Sequence, residues 1–306
     1  MTDGAKGVAA VFGACSVWGL SAIYYKMLDH VPPLEVLAHR TLWSLVLFAG
    51  ILMVQGRLRL VPQALGTPRG ALVIGAAAVV ISTNWFMFIS AIQWGRATEA
   101  SLGFFTVPLA SVLLGIVFFG ERLGRAQGFA VVLAALALAL LTLGLGAAPW
   151  IALVLAVSFG LYGVVKKSLS VGPVVSVTAE VLLLSPIALV ILWQMHAAGG
   201  GYFGHDLGDS VLLAISGPLT AIPLVLFSYA ARRLRLATLG LLQYFNPTLQ
   251  FLVATLIFRE VFTGWHATAF VLIWLALAIY TFSLWRQDRA ARRLARSSDT
   301  VVHTVM

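Results

Sequence analysis

Long apolar runs separated by short polar connections divide the chain along its whole length. A helix needs about 20 apolar residues to cross a hydrocarbon core about 30 Å thick, and the 306 residues hold ten such runs. The predicted spans are 7–27, 33–54, 70–92, 98–119, 125–145, 148–165, 173–195, 210–230, 237–258 and 264–285. Even the longest connection, the glycine-rich HAAGGGYFGHDLGDS, is too short for a soluble domain. The pattern predicts an all-α polytopic membrane protein with ten transmembrane helices.

The composition supports a membrane protein and argues against other classes. Hydrophobic residues make up 60% of the chain and charged residues 10%, against about 45–50% and about 25% in soluble domains. The net charge of +9 does not indicate nucleic-acid binding, because the basic residues are scattered singly between apolar runs. Cys15 is the one cysteine of the sequence, so no intrachain disulfide and no cysteine metal site are expected. No cofactor is predicted.

The distribution of lysine and arginine predicts how the spans are oriented. With the amino terminus in the cytoplasm, 16 of the 20 basic residues fall on the cytoplasmic side and 2 on the outer side. The other two, Lys26 and Arg40, lie at or inside span ends. Cytoplasmic loops of membrane proteins carry this kind of excess. The count predicts ten spans with both termini in the cytoplasm.

The two halves of the chain resemble each other weakly. WGLSAIYYK (18–26) aligns with FGLYGVVKK (159–167) at an offset of 141 positions. PLASVLLGIVFFGERL (108–123) aligns with PTLQFLVATLIFREVF (247–262) at an offset of 139 positions, without a gap. The organisation predicted from these matches is a first five-helix repeat at 1–146, a second at 147–285 and a basic cytoplasmic tail at 286–306.

Five spans per repeat is an odd number, so the second repeat is expected to enter the membrane upside down. Inverted repeats around a site near the midplane are the architecture of many secondary transporters. The alternative is that the duplication only built a packed helical bundle.

Pro108 and Pro247 occupy equivalent positions near the middle of spans four and nine. Each removes one backbone hydrogen bond and is expected to kink its helix. In a membrane, the freed carbonyl needs a polar partner or a water-filled cavity. Gln243, Tyr244 and Asn246 surround Pro247, so these side chains are candidates for lining a solute pathway.

Three ionisable side chains lie close together near the start of the second span. Glu35 and His39 are four residues apart and therefore share a helix face, whereas Arg40 points about 100° away from His39. Arg40 comes seven residues after Pro33, which places it about 10 Å deep at 1.5 Å per residue. A charge at that depth is costly and often functional. All three are candidates for a substrate or proton pathway.

The second half offers a carboxylate counterpart to Arg40. Aligning Pro33 with Pro173 places Glu180 opposite Arg40. We hypothesise that both side chains face one central cavity and neutralise each other there, directly or through the substrate. The alternative is a structural arginine that snorkels toward the membrane surface.

Other polar and aromatic residues have alternative roles. Asn84 and Trp85 lie deep in span three and are further pathway candidates. The ends of spans one and six carry Tyr24, Tyr25, Lys26, Tyr162, Lys166 and Lys167. These are either interface anchors or cavity residues for a flat or cationic solute. Glu121 and Glu260 come at span ends, where a solvated turn is the favoured interpretation.

Four stretches of the sequence resemble the RarD proteins of the EamA branch of the drug/metabolite transporter superfamily. In chain order they are PPLEVLAHRTLWS, TEASLGFFTVPLASVLLGIVFFGERL, SFGLYGVVKK and LGLLQYFNPTLQF. The resemblance covers nearly the whole chain. It implies a bacterial inner-membrane carrier of ten helices in two inverted repeats. Two departures concern amides: Val107 stands where the family pattern has Asn, and QWG replaces an expected NNG. Asn246 lies at the repeat position equivalent to Val107.

The sequence favours a transporter over two other classes. An enzyme would need a nucleophile with a base, or paired metal ligands at helical spacing. His196, His205, Asp206 and Asp209 offer at most a weak metal site in a loop that is better explained as solvated, so no metal is predicted. A non-transporting sensor or assembly protein, the other alternative, would carry a soluble output domain.

The expected activity is secondary transport of a small metabolite or amphipathic drug-like solute, as export, by alternating access. No G-x-x-x-x-G-K-[ST] loop occurs, so ATP hydrolysis by this chain is not expected. Proton coupling is the default hypothesis because His39 and Glu180 can change protonation, with uniport and exchange left open. The predicted partners are the solute and the lipid bilayer. The oligomeric state is open, with a homodimer as one alternative.

Overall fold

The protein is built from helices and short connections in the part of the chain that the computed structural model describes, which is residues 3–120, 124–145, 149–167, 169, 171–234 and 236–304. The helices are α1 (Asp3–Met27), α2 (Pro33–Val54), α3 (Leu60–Leu65), α4 (Pro68–Gln93), α5 (Ala97–Phe119), α6 (Arg125–Leu145), α7 (Trp150–Lys167), α8 (Pro173–Ala197), α9 (Leu207–Ala231), α10 (Leu236–Gln243), α11 (Phe245–Leu252) and α12 (Gly264–Thr304). A π-helical turn, Val253–Ile257, follows α11 directly.

Nine helices of the described residues are long and apolar enough to cross a membrane. They are α1, α2, α4 to α9 and the first half of α12. The ninth predicted span, 237–258, is instead built from α10, α11 and the π-helical turn, whose apolar part is Phe245–Ile257. The predicted all-α polytopic membrane protein is therefore confirmed. α12 continues past the predicted end of span ten to Thr304, so the basic tail begins as a helix extension.

Short connections make successive spans run in opposite directions. We call the end of the bundle where α1 begins the amino-terminal end and the other end the opposite end. α1 ends and α2 begins at the opposite end, while α7 ends and α8 begins at the amino-terminal end. The start of α2 and the start of α8 are thus on different sides of the membrane.

Prolines explain where several helices start and where one breaks. Pro33, Pro68 and Pro173 stand in the first turn of α2, α4 and α8, where the missing N–H costs no intrahelical bond. Pro247 has no backbone N–H and therefore cannot donate a hydrogen bond to the carbonyl four residues earlier, at Gln243. α10 ends at that residue, so the predicted distortion near Pro247 is confirmed.

The equivalent proline in the first half behaves differently. Pro108 lies inside α5, which continues as one helix from Ala97 to Phe119. A symmetric pair of helix breaks is therefore not observed. The reason is that a proline removes only one bond of the ladder, which the neighbouring bonds of a long helix can tolerate.

Helices of the two halves pack against each other with exchanged partners. α5 packs on α7 as α11 packs on α1, and α4 packs on α7 and α8 as α9 packs on α1 and α2. α2 with α8, α6 with α12 and α5 with α11 complete the cross-half contacts. Two aligned glycines serve these contacts: a Cβ on Gly19 would lie 2.6 Å from that of Leu249, and one on Gly160 would lie 2.8 Å from Leu114 Cδ1. The inverted repeat itself stays a prediction.

Gly217 of α9 provides a direct test of close helix packing. A Cβ at this position would lie 2.6 Å from the carbonyl carbon and 2.7 Å from the carbonyl oxygen of Trp43 in α2. Backbone cannot move aside as a side chain can, so Gly217→Ala is expected to lower the free energy of unfolding by about 1–3 kcal/mol. Thermal unfolding in detergent measures the change. Gly50→Ala in α2, which meets nothing within 4 Å, is the control and is expected to be neutral or stabilising. Equal melting temperatures for both variants would contradict the predicted close contact.

Candidate functional site

Arg40 lies in a pocket of aromatic side chains near the opposite end of the bundle. Its Nη1 donates a hydrogen bond of 2.8 Å to the hydroxyl of Tyr25 at the end of α1. The guanidinium carbon lies 4.1 Å from the ring centre of Trp85 in α4, the geometry of a cation–π contact. Tyr25 packs edge-on against Phe88. We call Tyr25, Arg40 and Trp85 the Arg40 cluster.

Glu180 lies in a corresponding cluster near the amino-terminal end. Lys166 at the end of α7 donates to its Oε1 at 2.6 Å, and Tyr162 donates to its Oε2 at 3.0 Å. Ser176, one turn earlier in α8, also donates to Oε1 at 2.8 Å. Glu180 is 1% exposed, and these three hydrogen bonds, one of them from a cation, satisfy what a buried carboxylate requires. We call Tyr162, Lys166, Ser176 and Glu180 the Glu180 cluster.

The two clusters are built on equivalent positions of the two sequence halves. Tyr25 aligns with Lys166 at the offset of 141, and Arg40 aligns with Glu180 at an offset of 140. In each half, the end of the first helix therefore contacts the same position of the second helix. The chemistry is different, because the first half pairs a cation with a neutral phenol and the second half pairs a carboxylate with a cation.

Arg40 and Glu180 do not form an ion pair with each other in the structure. Glu180 forms its ion pair with Lys166, and Arg40 contacts Tyr25 and Trp85. The physical reason is local geometry: each side chain lies near the end of its own helix, where the preceding helix supplies a partner. That the two side chains share one cavity stays a prediction.

Glu35 and His39 are adjacent, as their spacing predicts. His39 Nε2 lies 3.9 Å from Glu35 Oε1, which is too long for a hydrogen bond. Glu35 Oε1 accepts a hydrogen bond of 2.8 Å from the amide of Tyr202, in the connection before α9. His39 stacks on Phe203 with ring centres 4.8 Å apart. This pair therefore holds the 198–206 connection onto α2.

Asn84 and Trp85 are neighbours in sequence but serve different contacts. The Asn84 amide donates to the carbonyl of Leu155 at 3.0 Å and to the hydroxyl of Ser158 at 2.9 Å. Asn84 therefore ties α4 to α7 and is satisfied there, whereas Trp85 belongs to the Arg40 cluster.

The polar residues around Pro247 do not converge on either cluster. Gln243 is exposed, and Tyr244 stacks on Phe105 of α5 at 6.5 Å. Asn246 Oδ1 accepts a hydrogen bond of 3.1 Å from Gln250 one turn later. Their predicted pathway role stays a prediction.

Two glutamates prove to be helix caps across large sequence distances. The Glu260 carboxylate accepts hydrogen bonds from the amides of Ala97 and Thr98, at 2.6 and 2.7 Å, where α5 begins. Glu99 accepts from the amide of Ile151 at 2.8 Å, where α7 begins. The expected solvated turn at Glu260 is wrong, because the unpaired N–H groups of α5 attract a carboxylate. Glu121 lies outside the described residues.

Glu260→Ala should therefore destabilise the protein, since two amides at the start of α5 lose their acceptor. A lost cap costs about 0.5–2 kcal/mol, so a drop in the free energy of unfolding toward the upper end of that range is expected. Glu260→Gln keeps one acceptor oxygen and should cost less. Asp3→Ala, which removes an exposed carboxylate, is the control. Unfolding in mixed micelles measures the differences, and an effect no larger than that of Asp3→Ala would contradict the capping role.

Sequence reasoning did not single out Tyr25, Tyr162, Lys166 and Ser176 as partners of the two charged residues. The alignment of the halves carried the signal for two of them, because it places Tyr25 over Lys166 as it places Arg40 over Glu180. Ser176 precedes Glu180 by four positions, the spacing of side chains on one helix face. Among the described residues, no group of three or more His, Cys, Asp and Glu side chains is arranged to hold a metal.

Comparison with known proteins supplies a family for this arrangement. The EamA-like transporter family matches residues 5–143. A protein of Streptomyces exfoliatus named "Protein RarD" is 41% identical over 96% of this chain and 94% of its own length. A protein of Vibrio cholerae named "Uncharacterized transporter" is 37% identical over 95% of this chain and 97% of its own length.

A solved crystal structure also shares the fold. It is 21% identical in sequence and superposes with a TM-score of 0.60, covering 90% of this chain and 97% of the other. At that identity, the likeness concerns the arrangement of helices alone.

Proposed function

The chain belongs to the EamA-like transporter family and is a membrane transporter, and we propose that it is a secondary carrier that exports a small metabolite or amphipathic solute by alternating access. Its spans contact the lipid bilayer, and we place it in the bacterial inner membrane with both termini in the cytoplasm. The excess of basic residues on one side of the predicted topology supports this orientation.

The observation that carries the proposal is the pair of buried polar clusters at positions that align between the two sequence halves. Arg40 is 6% exposed and Glu180 is 1% exposed, and ionisable groups inside spans are costly, rare and typical of solute or proton pathways. One cluster lies near each end of the bundle, at the contact of the first two helices of each half. Opening one contact while the other stays closed is the kind of change that alternating access requires.

The exchanged helix contacts support the same mechanism. If the two halves are inverted repeats, each packing contact has a counterpart at the other end of the bundle, and two mirror-related conformations have similar packing. A solute site between the halves then faces one side at a time. Coupling to protons is a further part of the proposal, because His39 and Glu180 can bind and release protons.

Solute flux through the purified protein in proteoliposomes tests the proposal. Small metabolites and amphipathic drugs are screened for uptake and efflux, with and without an imposed pH gradient. Flux above that of protein-free liposomes is the expected result, and its dependence on the gradient separates proton coupling from uniport and exchange. Absence of flux for every solute, with the protein folded and inserted, would contradict the proposal.

A further inference from the structure

Arg40 is a buried cation that has no ion-pair partner among the described residues. Arg40 is 6% exposed, and none of the ion pairs found among the described residues includes it. Glu99 and Glu180 form ion pairs with Arg96 and Lys166. Glu35 accepts a hydrogen bond from the amide of Tyr202 at Oε1 and has no hydrogen-bond partner at its buried Oε2, but it forms no ion pair with Arg40. A guanidinium kept in a membrane span without a counter-charge is costly, so a functional reason for its retention is needed.

The donors that remain free define the chemistry of a missing partner. Nη1 donates to Tyr25, whereas Nε is buried without a hydrogen-bond partner, and no bond from Nη2 is found in the described part of the chain. Nε and Nη2 form one edge of the planar guanidinium. Such an edge binds a carboxylate or phosphate through two parallel hydrogen bonds. Trp85 covers a face of the same group at 4.1 Å and fixes its plane.

The aligned position of the second half differs from Arg40 in its charge balance. There, Glu180 has Lys166 as its cation, so the Glu180 cluster is electrically balanced by the protein alone. In the described part of the chain, the partners found for the Arg40 guanidinium are the neutral hydroxyl of Tyr25 and the aromatic rings of Tyr25 and Trp85. An arginine that only snorkels would need to reach water, which its burial in this cluster opposes.

We propose that the solute of this transporter is an organic anion, and that its carboxylate or phosphate group binds the Nε–Nη2 edge of Arg40. This inference rests on the transport function proposed above and adds the substrate class to it. Arg40 is buried in this structure, so the anion would reach it when the α1–α2 end of the bundle opens. Binding then supplies the missing counter-charge and removes the cost of the unpaired guanidinium.

A transport experiment sorted by solute charge tests this inference. A polar metabolite extract of bacterial cells is separated by ion exchange into an anionic and a non-anionic fraction. Each fraction is loaded into proteoliposomes, and mass spectrometry identifies the compounds that leave faster than from protein-free liposomes. The expected result is that carboxylates and phosphates leave from the anionic fraction, and that their neutral amide or ester analogues do not.

Two variants at position 40 and one control connect the result to this side chain. Arg40→Gln removes the charge and is expected to slow anion efflux about 10- to 100-fold, since a hydrogen bond to a charged group is lost. Arg40→Lys keeps the positive charge but lacks the planar guanidinium that donates two parallel hydrogen bonds. About a tenfold loss of anion efflux is therefore expected. Arg57→Gln removes an exposed arginine near the end of α2 and should leave efflux unchanged.

Thermal unfolding of the same proteins in nanodiscs separates failure of the inference from failure of transport. The anionic fraction should raise the melting temperature of the parent protein and of Arg57→Gln, but not of Arg40→Gln. If no compound leaves the liposomes while this pattern holds, transport is contradicted and the Arg40 anion site stands. Efflux of neutral or cationic compounds alone, or anion efflux that survives Arg40→Gln, would overturn the inference. So would an anionic fraction that stabilises neither the parent protein nor Arg57→Gln.

Discussion

Lys166→Met is expected to lower the free energy of unfolding by about 3 kcal/mol. Removing one partner of a buried ion pair costs about 3–5 kcal/mol, because the other charge is left uncompensated. Glu180 would keep only its bonds from Tyr162 and Ser176. The lower end of the range applies because the Lys166 side chain retains 22% exposure, which lets water solvate part of the pair.

A double-mutant cycle measures how far the effect depends on Glu180. Lys166→Met, Glu180→Gln and the double variant are compared with the parent protein by unfolding in mixed micelles. The double variant is expected to be more stable than the sum of the single effects predicts, since it leaves no buried charge. Lys26→Met is the matched control, because Lys26 forms an exposed ion pair with Asp29 and such pairs contribute about 0–1 kcal/mol. Equal losses for the two lysine variants would show that the Glu180 cluster is only a solvated contact.

The apolar runs made the spans predictable because the thickness of the hydrocarbon core sets the length of a helix. The helix break before Pro247 was also predictable, because the proline nitrogen carries no hydrogen and one backbone hydrogen bond is lost. Arg40 and Glu180 stood out because charges are rare at that depth. Each of these signals depends on a residue and its position in a single segment.

The partners of these residues were not predictable in the same way. In a membrane, the side of a helix that faces lipid is as apolar as the side that faces the protein, so the sequence contains little information on helix rotation. Asn84, a pathway candidate, binds Leu155 and Ser158 of α7, a contact that the sequence did not indicate. Glu260 was expected in a solvated turn and instead caps α5, whose first residues are more than 160 positions away. Such contacts depend on which helix ends meet, which the halves' weak similarity only partly indicates.

A large change in stability is also expected when the residues of the Arg40 cluster are replaced by those found at the aligned positions of the Glu180 cluster. Arg40→Glu alone would place a carboxylate at a site that is 6% exposed, beside a phenol and the electron-rich face of Trp85. None of the contacts found at this site among the described residues is to a cation, so a loss of about 3–5 kcal/mol in the free energy of unfolding, or failure to accumulate in the membrane, is expected. Tyr25→Lys combined with Arg40→Glu rebuilds in the first half the lysine–glutamate pair of the second.

The double exchange is expected to recover at least half of that loss, because Tyr25 and Lys166 stand at equivalent positions and contact equivalent partners. Unfolding in mixed micelles compares Arg40→Glu, Tyr25→Lys and the double variant with the parent. Lys26→Met with Arg40→Glu serves as a control that changes a neighbouring lysine without supplying a cation to the cluster. Recovery only in the Tyr25→Lys pair would support the repeat equivalence by an energetic coupling. A double variant no more stable than Arg40→Glu alone would mean that the two contacts are not energetically equivalent.

A folded double variant would also lack the guanidinium group of Arg40. Loss of anion efflux with recovered stability would therefore separate the solute-binding role of Arg40 from its structural role.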